Sequence, residues 1–186
     1  AILGGMSGLF NTRQALRQLA DFAGLRIRAR EHRDLMLLNS WGIRGTQVAW
    51  EEIAQALETG IAEGYINPPL VPLIFGHAGQ IRHFCDLGIY PSSRTIVMSR
   101  RWYERLAVAQ QRVVDASVEA ARQANRSWAK KVRASELSML TRNGIEVSRM
   151  DAAGLEVVVA RARASYAKQI DIGLLPAVMR YWEASR

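Results

Sequence analysis

Between Val48 and Pro69 the chain reads VAWEEIAQALETGIAEGYINPP, and its apolar positions Trp50, Ile53, Ala54 and Leu57 recur at i, i+3, i+4 and i+7. That spacing puts four apolar side chains on one face of a short helix. Glu51 and Glu52 fall in the first turn, where the positive end of the helix dipole favours carboxylates, and Gly60 follows the last periodic residue as a C′ glycine. Residues 61–67 predict a brief extended segment that Pro68 and Pro69 end in a turn. Upstream, Leu25-Arg26-Ile27-Arg28-Ala29 alternates apolar and basic residues, the pattern of a half-buried strand with both arginines on one face. Helical spacing over Arg33 to Asn39, with Leu35, Met36 and Leu38 inward and Gly42 closing, leads to a short strand at Thr46-Gln47-Val48. This βαβ rhythm predicts an α/β fold with a mainly parallel sheet, whose ligands bind beyond the carboxyl ends of the strands, where Arg28 and Asn67 stand.

The flanking regions are read in the same way. Residues 1–20 open as a glycine-containing extended piece and pass through Asn11-Thr12-Arg13 into a polar segment. Residues 87–94, with Pro91 and two serines, predict a loop, and β-branched, apolar Thr95 to Met98 a buried strand. Arg101 to Asn143 holds no proline or glycine and predicts one helix of about 35 residues, on the order of 50 Å long, stopped by Gly144. Ile145-Glu146-Val147 predicts a short strand. Asp151 caps a helix whose Leu155, Val158, Val159, Ala162 and Tyr166 form one apolar stripe, and a last helix is expected over residues 174–184 with Tyr181 and Trp182 as anchors.

Composition adds limits. A chain of 186 residues with 49% hydrophobic and 23% charged residues can bury a sizeable core. Its most apolar run, Leu70 to Phe75, is interrupted by Pro72 and falls far below the roughly 20 residues of a membrane span. The net charge is +8, and only Lys130, Lys131 and Lys168 of the 25 basic residues are lysine. Arg122, Arg126, Lys130 and Arg133 share a helical face. Asp115 and Glu119 precede them at helical spacing, however, which is the alternation of an exposed helix rather than a polyanion site. His77, His83 and Cys85 match no common zinc spacing, so no metal is expected. With a single cysteine no intrachain disulfide can form. No nucleophile motif, Walker A loop or dinucleotide-binding glycine pattern is present, so neither catalysis nor a cofactor is expected.

Three motifs carry a resemblance. Glu52, Ala56, Leu57, Gly60, Glu63, Gly64, Asn67 and Pro68 resemble the run E-x-Y-x-A-L-x-x-G-x-x-D-G-x-E-N-P of the solute-binding proteins of tripartite ATP-independent periplasmic (TRAP) transporters, a dicarboxylate-receptor-like family. Ala54, Glu63 and Ile66 depart from that run. Asp21, Gly24, Leu25, Arg26, Ile27 and Arg28 are similar to the family's D-x-x-G-L-K-I-R, and residues 96–102 with Leu106 to its hydrophobic run, S-K-K and W-x-x-L. The resemblance covers nearly the whole chain. It implies a periplasmic-binding-protein-like two-lobed fold with a long spine helix, here incomplete, the N-terminal lobe being largely missing. Residues 1–93 would form the second ligand-binding lobe, 94–147 would return to the first lobe with the spine helix, and 148–186 would pack as C-terminal helices. A gene extending upstream of Ala1 is expected.

The function implied is that of an extracytoplasmic receptor that closes two lobes around a small organic acid and passes it to the membrane permease subunits. Arg28 falls on the family's carboxylate-gripping position, and a guanidinium suits that task because it offers a planar fork of donors. Asn67, Tyr65 and Tyr90 complete the expected ligand-binding set. A periplasmic location follows from the resemblance alone. The alternative is a basic helical domain that binds nucleic acid or scaffolds another protein, although no recognised nucleic-acid motif accompanies the charge.

Overall fold

A computed structural model describes residues 2–167. In chain order it contains β1 (Ile2–Met6), β2 (Gly8–Asn11), β3 (Arg26–Ala29), α1 (His32–Ser40), β4 (Arg44–Gln47), α2 (Ile53–Glu58), β5 (Gly64–Asn67) and α3 (Val71–Ile74). These are followed by β6 (His83–Cys85), β7 (Pro91–Arg94), α4 (Arg100–Tyr103), α5 (Val108–Arg133), α6 (Glu136–Arg142), β8 (Glu146–Ser148) and α7 (Ala152–Ala167). The helix expected over residues 174–184 lies outside the described residues.

Six strands form one sheet in the order β4-β3-β5-β2-β6-β8. The pairs β3/β4, β3/β5 and β6/β8 are parallel, and only β2 runs against its neighbours, β5 and β6. The mainly parallel α/β fold is therefore as expected. Leu9 and Phe10, consecutive on β2, are both fully buried because the pleat sends them to opposite faces and both faces are covered. Leu9 joins a core of Ile27, Leu37, Leu38, Trp41, Val158 and Ala162 under α1 and α7. Phe10 joins Ile53, Leu57, Tyr65, Phe84, Leu140 and Ile145 under α2 and α6. Gly64 is where β5 presses closest to β2, since a Cβ there would lie 1.8 Å from the Phe10 carbonyl oxygen.

β1 and β7 pair antiparallel as a separate two-stranded ribbon. The first extended run thus serves two sheets, β1 in the ribbon and β2 in the middle of the larger sheet, with Ser7 between them. The return strand crosses at the same level. The Ser7 N–H donates to the Tyr90 carbonyl at 2.9 Å, and the Ile89 N–H donates to the Ser7 carbonyl at 3.0 Å. β8, which follows the long helical region, hydrogen-bonds to β6 in the six-stranded sheet.

Four local expectations are corrected. The strand predicted at Thr95 to Met98 falls instead on Pro91–Arg94, while Ile96 and Val97 are 53% and 82% exposed. A strand needs a partner, and it is residues 91–94 that the ribbon places against β1, with Ile2 opposite Arg94 and Met6 opposite Pro91. Pro91, which lacks an N–H, is tolerated as the first residue of its strand. The single helix predicted over Arg101 to Asn143 is three helices. α5 is the longest at 26 residues, about 39 Å. Before it, the Gln111 side chain donates to the Tyr103 and Leu106 carbonyls and the Ala107 N–H donates to Gln110 Oε1, closing a turn that composition does not announce. After it the chain redirects at Ala134 and Ser135 so that Leu140 can bury under the sheet. α2 begins at Ile53 and buries Ile53, Ala56 and Leu57, leaving Ala54 exposed and Trp50 in the preceding turn. In α1 it is Asp34, Leu37 and Leu38 that are buried, with Leu35 and Met36 only half-buried.

The other signals hold. Gly60 and Gly144 take φ of +72° and +77° just past their helices, and Asp151 Oδ1 accepts the Gly154 N–H at 2.6 Å to cap α7. Among the described residues no helix is long and apolar enough to cross a membrane.

Candidate functional site

β3 and β5 are parallel neighbours, so their carboxyl ends reach the same edge of the sheet, and Arg28 pairs in register with Tyr65. The pleat that buries Ile27 under α1 turns Arg28 to the α2 face. There Arg28 is 8% exposed. Its Nε donates to the Val48 carbonyl at 2.9 Å, and its guanidinium carbon lies 5.8 Å from the centre of the Trp50 ring. Among the described residues no partner meets Nη1 or Nη2. Burial lowers the Arg28 pKa, yet a guanidinium starts so high that it stays charged.

Among the described residues no charged side chain is in contact with Arg28, and Arg30, Asp34 and Glu51 act on it from farther away. Trp50 meets Phe75 edge-on at 4.8 Å and His77 at 5.9 Å. His77 Nδ1 stands 3.4 Å from the Tyr65 hydroxyl. Burial holds the His77 imidazole below its ordinary range and pushes the Tyr65 phenol up, so both rings are neutral at pH 7. A nearly buried cation with two unpartnered donors in one plane is chemically suited to a carboxylate, which recovers in two charge-assisted hydrogen bonds what it loses in water.

Of the expected site residues, Asn67 and Tyr90 come together on a polar cavity of about 170 Å³ that also touches Ser7 and Arg30. Tyr90 further borders a larger cavity of about 620 Å³ with Arg30, Arg163 and Tyr166. Its phenol is pushed up to about 12 by burial. Tyr65 is fully buried against Phe10 and His77 and opens onto neither cavity. Arg26 turns away to structural duty: its backbone N–H and Nη2 donate to Glu63 at 2.9 and 3.0 Å, and its Nε donates to the Gly60 carbonyl. Glu63, which stands where the family run has Asp, thus uses its carboxylate to tie β3 to the turn before β5.

Sequence reasoning missed Arg30 and Trp50. Arg30 was legible as the third arginine of the alternating run Arg26, Arg28, Arg30, whereas Trp50 was read as part of a helical stripe. His83 Nδ1 stands 3.2 Å from a Glu146 carboxylate oxygen across β6 and β8, and the Cys85 thiol is buried and donates to the Leu16 carbonyl. The basic side of α5 is internally compensated at Arg122, whose Nε donates to Glu119 at 2.7 Å.

Residues 3–171 match the family model described as bacterial extracellular solute-binding protein, family 7. A solute-binding protein of Verminephrobacter eiseniae is 27% identical over 171 residues, which is 89% of this chain and 50% of the relative. Among solved structures, a TRAP periplasmic solute-binding protein from Bordetella bronchiseptica, with density assigned as pantoate, aligns with a TM-score of 0.80 at 27% identity over 95% of this chain and 59% of its own. One from Polaromonas sp. JS666, bound to D-erythronate, aligns with a TM-score of 0.77 at 26% identity over 90% of this chain and 56% of its own. The chain therefore spans between half and three-fifths of the length of these relatives. All three are solute-binding proteins, and none supports the nucleic-acid alternative. With most of its length on the family model and its α/β sheet on the solved relatives, the chain belongs to the bacterial extracellular solute-binding proteins of family 7.

Proposed function

We propose that the protein acts as the periplasmic solute receptor of a TRAP transporter, binding a small organic acid and delivering it to membrane permease subunits without chemical conversion. Arg28 carries this reading. It is nearly buried, donates from Nε to the Val48 carbonyl, and has both terminal nitrogens unpartnered among the described residues. Asn67 at the end of neighbouring β5 and Tyr90 just before β7 offer an amide and a phenol to the hydroxyls of such an acid. Two solved relatives above one-quarter identity hold D-erythronate and density assigned as pantoate, both small hydroxycarboxylates. The six-stranded sheet would form one lobe and the β1–β7 ribbon with α5 part of the other, so that closure about the crossing at Ser7 and Tyr90 would stabilise the ligand more than the open form does.

A thermal-shift screen against hydroxycarboxylates tests this. A ligand at about 100 times its Kd adds roughly 2.7 kcal/mol to the stability of the form that binds it, a rise of several degrees in Tm. Absence of a shift with every carboxylate tried would refute the reading.

A further inference from the structure

We infer that Asp34 sets the charge class of the ligand: by neutralising Arg30 it leaves Arg28 as the one uncompensated cation that the described residues bring to this strand-end site, and so fits the site to a monocarboxylate rather than a dicarboxylate. The inference rests on the receptor reading above and deepens it.

Arg30 stands two residues beyond Arg28 and lines the 170 Å³ cavity with Ser7, Asn67 and Tyr90. Arg28 does not itself line this cavity, but its guanidinium feels the Arg30 charge, so the far end of a four-carbon acid anchored at Arg28 would extend toward Arg30. The Arg30 guanidinium is already taken. Its Nε donates to Asp34 Oδ2 at 2.7 Å and its Nη2 donates to Oδ1 at 2.8 Å, a fork closed on a fork, and the Arg30 backbone N–H adds a third bond to Oδ2 at 2.8 Å. Asp34 itself is buried in the first turn of α1, where the helix dipole favours a carboxylate.

The protonation states agree with that picture. The hydrogen bond to Asp34 raises the Arg30 pKa. Burial alone would raise the Asp34 carboxyl, but side-chain and backbone hydrogen bonds from Arg30 outweigh it and hold it below the ordinary range. Arg28, by contrast, has no carboxylate within ion-pairing distance among the described residues, Asp34 and Glu51 acting on it only from farther away. Arg163 is exposed on α7 and borders the larger cavity, not the smaller one.

A second carboxylate entering the smaller cavity would lose hydration and find no free cation among the described residues, a desolvation that hydrogen bonds from an amide and a phenol do not offset. A hydroxyl loses far less and is matched by Asn67, Tyr90 and Ser7.

Calorimetry with D-erythronate and succinate tests the inference on the protein, its Asp34→Asn variant, and the Asp34→Asn/Arg30→Gln double variant. The substituted amide keeps a side-chain oxygen to accept the Arg30 N–H, so the first turn of α1 stays closed while the charge goes. The parent is expected to favour D-erythronate by at least about tenfold. Asp34→Asn is expected to narrow that preference by about tenfold, or 1.4 kcal/mol, through tighter succinate binding, and the added Arg30→Gln to abolish the gain. Arg30→Gln alone exposes the Asp34 charge and is expected to weaken succinate more than D-erythronate, a direction that remains measurable should Asp34→Asn fail to fold. A parent that binds succinate as tightly as D-erythronate, or ratios unmoved in the variants, would overturn the inference and leave the receptor reading standing. If no carboxylate of the thermal-shift screen binds the parent, the receptor reading falls and this inference falls with it.

Discussion

Replacing Arg28 by lysine isolates the geometry of the guanidinium from its charge. In the parent, Nε is tied to the Val48 carbonyl at 2.9 Å and Trp50 lies against the guanidinium, so the group cannot rotate freely and presents Nη1 and Nη2 as a fixed pair. Lysine offers one ammonium, which can satisfy Val48 or a carboxylate oxygen but cannot do both while also supplying a second parallel donor. At a position that is 8% exposed its charge is also disfavoured by burial. The carboxylate therefore loses one of two charge-assisted hydrogen bonds, each contributing about 1.5 to 3 kcal/mol, which is about a 10- to 150-fold rise in Kd. Arg26→Lys serves as the control. Arg26 bonds Glu63 and Gly60 rather than facing the site, so this variant should melt slightly earlier yet bind within about threefold of the parent. Calorimetric titration with D-erythronate and pantoate measures both variants. An Arg28→Lys protein that binds either acid as tightly as the parent would refute the assignment of Arg28 to the carboxylate.

Trp41 is 2% exposed and its Nε1–H donates to the Val158 carbonyl at 2.9 Å, joining α1 to α7; Trp41→Ala should cost about 3–5 kcal/mol, read by urea denaturation. The His77 imidazole is held below its ordinary pKa by burial. The unfolded chain therefore takes up a proton near pH 6.5 that the folded one resists, and stability present above about that pH is lost as the pH falls through it. Melts from pH 8 to 5 should show this loss in the parent and a shallower one in His77→Gln; equal slopes would exclude His77 as the cause. The exposed Ile96, Val97 and Met98 should make the 186-residue chain bind a hydrophobic dye. Ile96→Ser and Val97→Ser together should reduce dye fluorescence while changing stability by no more than about 0.5 kcal/mol each.

What the sequence determined by itself was local. Alternation fixed β3 and its two faces, the Gly60 and Asp151 signals fixed a helix end and a helix start, and the stripe Leu155, Val158, Ala162 correctly faced the core, because each depends on residues within one or two turns of one another. The motif ending at Arg28 named a carboxylate site that the buried, half-unpartnered guanidinium now supports as a proposal. Only the tertiary structure decided what depends on a partner distant in sequence. Residues 91–94 became a strand because β1, far earlier in the chain, lies against them. The long helical run broke at two places because buried Leu140 had to reach the sheet and because glutamine side chains could close a turn without glycine or proline. Tyr65, expected at the ligand, was drawn into the core by Phe10 and His77 from other strands and loops. Arg28 and Arg30 look alike in the chain, two arginines on one alternating run. A carboxylate one helical turn beyond the second closes its fork, and a backbone carbonyl twenty residues away holds the first in place with its terminal nitrogens unpartnered among the described residues. Periodicity reports which face a side chain takes, but the charge left over at that face is set by what the fold brings against it.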